Sequence, residues 1–163
     1  MFKIVAENTL MHKDINIRTE RHGEDDVGAV DVYFKCHSDA ATANFLMGGF
    51  AEEEPPNLWD DTENKDIRYH GIAGTINSSA SFDDCSVKFK NVVMKGVKVN
   101  AFKFSPIPGG KIELTLRVQF RPSDDQLTKL YHFQKKGGKL TITIDEDFSR
   151  DDGEAQTDLE DFE

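Results

Sequence analysis

The sequence predicts a mainly β protein: an OB-like antiparallel Greek-key barrel with one or two short helices, or alternatively a β-sandwich. Three observations carry this. Apolar residues alternate with polar ones in several segments, most cleanly over residues 111–120 (KIELTLRVQF). A Pro- and Gly-rich turn, residues 105–110 (SPIPGG), joins two such segments into a hairpin. Helical patterns are few and short, without the regular strand-helix alternation of a doubly wound sheet. At 163 residues the chain is long enough for one domain with its own core. The expected division is a β-rich body over 1–148 and an acidic tail over 149–163.

Residues 2–11 (FKIVAENTLM) read as the first strand. Residues 12–26 are polar, contain Gly23 and a Glu-Asp-Asp run, and read as a connection. Residues 27–36 (VGAVDVYFKC) form a second strand, with Val30, Val32, Phe34 and Cys36 on its apolar face. Asp31 and Lys35 face the other way, with Tyr33 between them. Ser38 or Asp39 can cap a short helix to about Met47, anchored by Phe45 and Leu46 and ended by Gly48-Gly49. Residues 50–66 form an acidic loop in which Pro55-Pro56 blocks helix and central strand. The single tryptophan, Trp59, is expected to plug this loop onto the core, with an exposed contact residue as the minority reading.

Residues 67–76 are a weak strand, interrupted by Gly71 and Gly74. In the next stretch Val87, Phe89 and Val93 share one parity, and Lys88 and Lys90 the other. Asn91 and Met94-Lys95-Gly96 break or turn the pattern. Residues 97–104 (VKVNAFKF) pair with 111–120 across the turn. In 111–120, Ile112, Leu114, Leu116, Val118 and Phe120 take the buried face. Pro122-Ser123-Asp124 starts a helix to about Lys136, with Leu127, Leu130 and Tyr131 toward the sheet and Gly137-Gly138 as its stop. Residues 139–145 (KLTITID) close the domain. After Phe148 periodicity ends and negative charge dominates, which predicts a segment disordered on its own.

Charge is unevenly placed. The net charge is −10, from 20 basic and 30 acidic residues. Residues 146–163 hold nine of the acids and one base, Arg150, so residues 1–145 carry only −2. Within the body, residues 88–121 contain Lys88, Lys90, Lys95, Lys98, Lys103, Lys111, Arg117 and Arg121 against one acid, Glu113.

Enzymatic signatures are missing, and the expectation is a protein that is not an enzyme and needs no cofactor or metal. His12, His22, His37, His70 and His132 are scattered, without H-x-x-x-H or H-E-x-x-H spacing. Neither G-x-G-x-x-G nor G-x-x-x-x-G-K-[ST] occurs, and Gly109-Gly110-Lys111 sits at a hairpin turn rather than before a helix. Asp83-Asp84 reads as surface. Cys36 and Cys85 are too few and too far apart for a disulfide framework. Asp84 beside Cys85 would raise its pKa and keep the thiol inert. No apolar run approaches the roughly 20 residues of a membrane span. A cytoplasmic protein without a membrane partner is expected.

The positive segment carries the functional expectation. If Val97, Val99 and Ala101 face the core, then Lys98, Asn100, Phe102 and Phe104 face solvent, with Lys103 beside them. Lys88, Lys90, Lys95, Arg117 and Arg121 would share that wet surface. Amines and guanidinium groups meet phosphates, and exposed rings stack on unpaired bases. The competing reading places Phe102 and Phe104 in the core. The end of the tail, Asp158, Leu159, Glu160, Asp161, Phe162 and Glu163, sets two apolar anchors among carboxylates. Such a peptide suits an apolar pocket ringed by bases on a partner protein, or it can fold back on the basic face as a tethered competitor.

A β-rich body with a basic face, followed by an acidic tail with a near-terminal Phe, resembles the single-stranded DNA-binding proteins of bacteria and their phages. The resemblance rests on Leu159 to Glu163 and on the basic face between Lys88 and Arg121. It departs from the family in ending Phe162-Glu163, and in having no long Gly/Gln/Pro-rich linker. It implies an OB body that binds single-stranded DNA without sequence preference. It also implies a tail that recruits replication or recombination proteins, and a phage-encoded accessory role in an infected bacterial cell. A homodimer is left open. Two other readings remain at this point: an acidic inhibitor that mimics DNA toward a host protein, and a structural β-sandwich of an assembly.

Overall fold

The computed structural model describes residues 1–22, 25–47 and 75–145, with residues 20–22 and 25–27 in backbone only. Its elements in order are β1 (Phe2–Met11), β2 (Asn16–His22), β3 (Asp25–Asp39), α1 (Ala40–Leu46), β4 (Ile76–Asn77), β5 (Phe82–Phe89), β6 (Val92–Ile107), β7 (Lys111–Phe120), α2 (Asp124–His132) and β8 (Gly138–Ile144). The expected loop over 50–66 with Trp59, most of the weak strand over 67–76, and the tail lie outside the described residues.

Six strands close an antiparallel barrel in the order β1-β8-β5-β6-β7-β3, and β1 pairs back onto β3. Strands β5, β6 and β7 form a meander, and β8 returns through α2 to lie beside β5. That 8-5-6-7 order is a Greek key. The fold is therefore mainly β and OB-like, with two short helices. Alternation drives it: Val30, Val32, Phe34 and Cys36 of β3 and Ile112, Leu114, Leu116, Val118 and Phe120 of β7 all point inward as the period-2 pattern requires. Full closure leaves the six barrel strands without an unpaired edge.

Aromatic rings fill the interior. Phe2 stacks on Phe45 of α1 at 4.0 Å between centroids, Phe45 on Phe82 at 5.4 Å, and Phe82 meets Phe102 edge-on at 5.9 Å. Helix α1 thus drives Phe45 and Leu46 into the barrel, held by an Asp39 N-cap whose carboxylate accepts from the Thr42 amide. Helix α2 starts with a capping box, in which Ser123 and Gln126 satisfy each other's backbone amides.

Several expectations change. Residues 12–26 are not a plain connection: they hold β2 and the start of β3, paired from Asn16↔Asp31 to His22↔Asp25. This strand extends beyond the barrel on β3 alone, and Ile17 is exposed. Asn16, Ile17 and Thr19 of β2 are all exposed, so apolar alternation is not required of them. Helix α2 ends at His132 rather than Lys136, and Tyr131 is exposed. Val93 does not share the inner face of Val87 and Phe89, because a tight turn at Lys90-Asn91 (Lys90 φ 56°) reverses the chain and Met94 goes inside instead.

The largest correction concerns Phe102 and Phe104, which are both buried at 1% exposure. The β6–β7 register slips between Asn100 and Lys103, and Ala101 takes a left-handed φ of 58°. Such a bulge inserts one residue and flips the parity of everything after it. Val97 and Val99 point inward before the bulge, Ala101 is exposed at it, and Phe102 and Phe104 point inward after it. A second bulge in the same strand puts Lys95 and Gly96 (φ 66°) both outward. Asn8 in β1 and Asp84 in β5 mark two more.

Candidate nucleic-acid interface

With Phe102 and Phe104 inside, the outer wall of the barrel has to be rebuilt residue by residue. On β6, β7 and β3 the outward side chains form cross-strand rows. One row runs Lys98–Gln119–Asp31 and the next Asn100–Arg117–Tyr33. Beyond the Ala101 bulge, Lys103 lies opposite Thr115 and Lys35 follows on β3, where it pairs with Glu113 at 3.4 Å.

A concavity of about 460 Å³ opens at the end of this face and is lined by Arg18, Ala29, Lys95, Gly96, Lys98, Gln119, Phe120 and Arg121. Four of these side chains are cationic. Lys95 arrives there through the bulge at Gly96, and Arg18 through β2. The structure thus brings together three of the sequence-predicted bases, Lys95, Lys98 and Arg121, and adds Arg18. Arg18 was hidden because its strand lacks apolar alternation.

The floor beside the concavity is a chain of hydrogen bonds across four strands. Asp31, only 4% exposed, accepts from Asn16 Nδ2 at 3.1 Å, Arg18 Nε at 3.0 Å and Gln119 Nε2 at 3.0 Å. Gln119 Oε1 accepts from Asn100 Nδ2 at 3.2 Å, and Asn100 Oδ1 accepts from Arg117 Nε at 3.0 Å. Burial would raise the Asp31 pKa. The hydrogen bonds of Gln119 and Asn16 and the charge of Arg18 outweigh it and hold the carboxyl below its ordinary value.

The remaining predicted bases lie elsewhere. Lys90 sits at the β5–β6 turn, where its Nζ donates to the Gly137 carbonyl at 2.9 Å and lies 5.0 Å from the Phe133 ring centre. It pins the segment before β8 rather than facing a ligand. Lys88 is on the opposite wall, between Thr141 of β8 and Val93 of β6. The neighbouring row there runs Lys3–Thr143–Ser86–Lys95 and reaches the concavity at Lys95. Lys98 makes a long ion pair with Asp83 at 3.8 Å, both groups being well exposed. Such a pair contributes less than about 1 kcal/mol and exchanges readily for a phosphate. The tail residues Asp158 to Glu163 lie outside the described residues.

Both thiols are poor nucleophiles. Burial pushes Cys36 up to about 12; burial, then Asp83 and Asp84, push Cys85 up to about 12. Among the described residues no three His, Cys, Asp or Glu side chains converge as metal ligands. No helix among them is long and apolar enough to cross a membrane.

No family model matches this chain, and neither does any curated protein or solved structure.

Proposed function

We propose that this chain is a non-enzymatic, sequence-independent single-stranded DNA-binding protein that holds its ligand by the phosphates. The observation that carries the reading is the convergence of Arg18, Lys95, Lys98 and Arg121 on one concavity of the barrel wall. Four cations, Arg18 from β2, Lys95 and Lys98 from β6 and Arg121 from just after β7, gathered around a depression, favour a polyanion over a single small molecule. The floor supports independence from sequence. The amides that would read base edges, Asn100 and Gln119, each spend a donor and an acceptor inside the protein.

The tail completes the proposal on sequence grounds alone, recruiting replication or recombination proteins through Leu159 and Phe162. A DNA mimic fits less well, since it needs carboxylates spread over a rigid face. The row Lys3–Thr143–Ser86–Lys95 has none.

The test is a titration of labelled oligo-dT, duplex DNA and RNA at several salt concentrations. Oligo-dT should bind most tightly, and its log affinity should fall linearly with log salt, with a slope of roughly −0.7 per phosphate neutralised. Lys95→Glu and Lys98→Glu should each flatten that slope. Salt-insensitive binding, or none to any of the three, rules the reading out.

A further inference from the structure

A phosphate-holding wall still lacks a surface that takes an unpaired base, now that Phe102 and Phe104 are in the core. We infer that Tyr33 is that surface, a stacking platform covered in the free protein by the Lys13 ammonium. The inference rests on the single-stranded DNA reading and assigns its base-contacting residue.

Tyr33 lies on the outer wall because Val32 and Phe34, on either side of it in β3, point into the core. It is only partly buried. Its cross-strand neighbour on β7 is Arg117, whose guanidinium is held by Asn100. The row beside it, about 7 Å along the strand, contains Asp31, Gln119 and Lys98. The ring therefore sits next to the cationic concavity, on the same face. Of the other described aromatics, Phe120 lines the concavity but is buried, the exposed Tyr131 is on α2, and Phe133 packs against Phe89 and Lys90.

What lies on the ring is Lys13, with Nζ 4.6 Å from its centre. Lys13 belongs to the short link between β1 and β2, and the His12 amide donates to the Tyr33 carbonyl at 2.7 Å. The backbone is thus fixed beside the ring while the lysine side chain is exposed and long. A cation over an exposed ring is weakly held. A base offers the ring a larger flat contact, and the displaced ammonium then stands where the attached phosphate must pass. Every base has a π-face, so this contact adds affinity without sequence preference.

The test compares oligo-dT with an abasic oligomer of equal length, using the full chain and its Tyr33→Leu and Tyr33→Phe variants. Tyr33→Leu should weaken oligo-dT binding by about 5- to 100-fold and leave abasic binding unchanged, while Tyr33→Phe keeps most of the affinity. A second measurement uses the unaltered protein: nitration of Tyr33, read by peptide mass, should be blocked by oligo-dT and not by the abasic oligomer. Equal losses on both ligands, or no loss on either, overturn the assignment to Tyr33 while leaving the phosphate site standing. Failure of the unaltered protein to bind either oligomer overturns both.

Discussion

Gln119 of β7 donates its side-chain amide to the Asp31 carboxylate of β3 at 3.0 Å, joining positions 88 residues apart in the chain. The bond matters because Asp31 is a buried charge that also holds Arg18 and Asn16. It ties β2, the strand outside the barrel, to the closed wall.

The same bond sets a pH dependence. Asp31 titrates lower in the folded protein than in the unfolded chain, so its contribution to stability is full above the ordinary carboxylate value of about 3.9 and is lost as pH falls through the lower folded value. Unfolding midpoints measured from pH 6 to pH 2 should fall more steeply for the natural chain than for Asp31→Asn. At pH 7, Asp31→Ala should cost about 1–3 kcal/mol, because it strands the donors around it. Parallel pH profiles would show that Asp31 is not the source of this pH dependence.

The Ala101 bulge makes a second prediction. Phe102→Ala should destabilise the barrel by about 3–5 kcal/mol in chemical denaturation, since it removes a ring packed on Phe82 in the core. Ala101→Gly should be neutral or slightly stabilising, because glycine accepts the left-handed backbone at no steric cost. A Phe102→Ala variant with unchanged stability would contradict the burial.

The two thiols should be silent in the folded protein. At pH 8 both Cys36 and Cys85 should react with a thiol reagent at least 100-fold more slowly than after unfolding in denaturant, since burial and a pKa of about 12 leave almost no thiolate. Fast labelling of either one under native conditions would argue against these surroundings.

Removing residues 149–163 should tighten oligo-dT binding at low salt and narrow the difference as salt rises. A tethered polyanion competes at an effective concentration of order mM, and screening weakens it. Unchanged affinity after truncation would remove the tail from the competition.

The parts of this fold that could be read from sequence are those where a strand stays regular. Strand β7, and β3 from Val30 to Cys36, alternate in sequence, and their inward apolar faces are as the pattern demands. Legibility ends at the bulges. Gly96 offers a cue to one of them, but nothing in Asn100-Ala101 marks the parity flip, which is fixed by pairing with β7. That single inserted residue sends Phe102 and Phe104 from the expected wet face to the core. Strand β2 was illegible for the opposite reason: its partner is an edge rather than a core, so Arg18 looked like loop. Tyr33 stood in plain view between Asp31 and Lys35. Its meaning needed Arg117 and Lys13, which only the folded chain brings near it.

The pairing of β1 with β8 also orders events during synthesis. Phe2 to Thr9 find their partners between Gly138 and Ile144, the last barrel strand to be translated. A nascent chain on the ribosome holds the β5–β6–β7 meander well before it can seal the barrel, and its first strand waits with an open hydrogen-bonding edge. Closure is therefore a late, long-range step, and the interval before it is when this protein is most exposed to misassociation with other nascent chains.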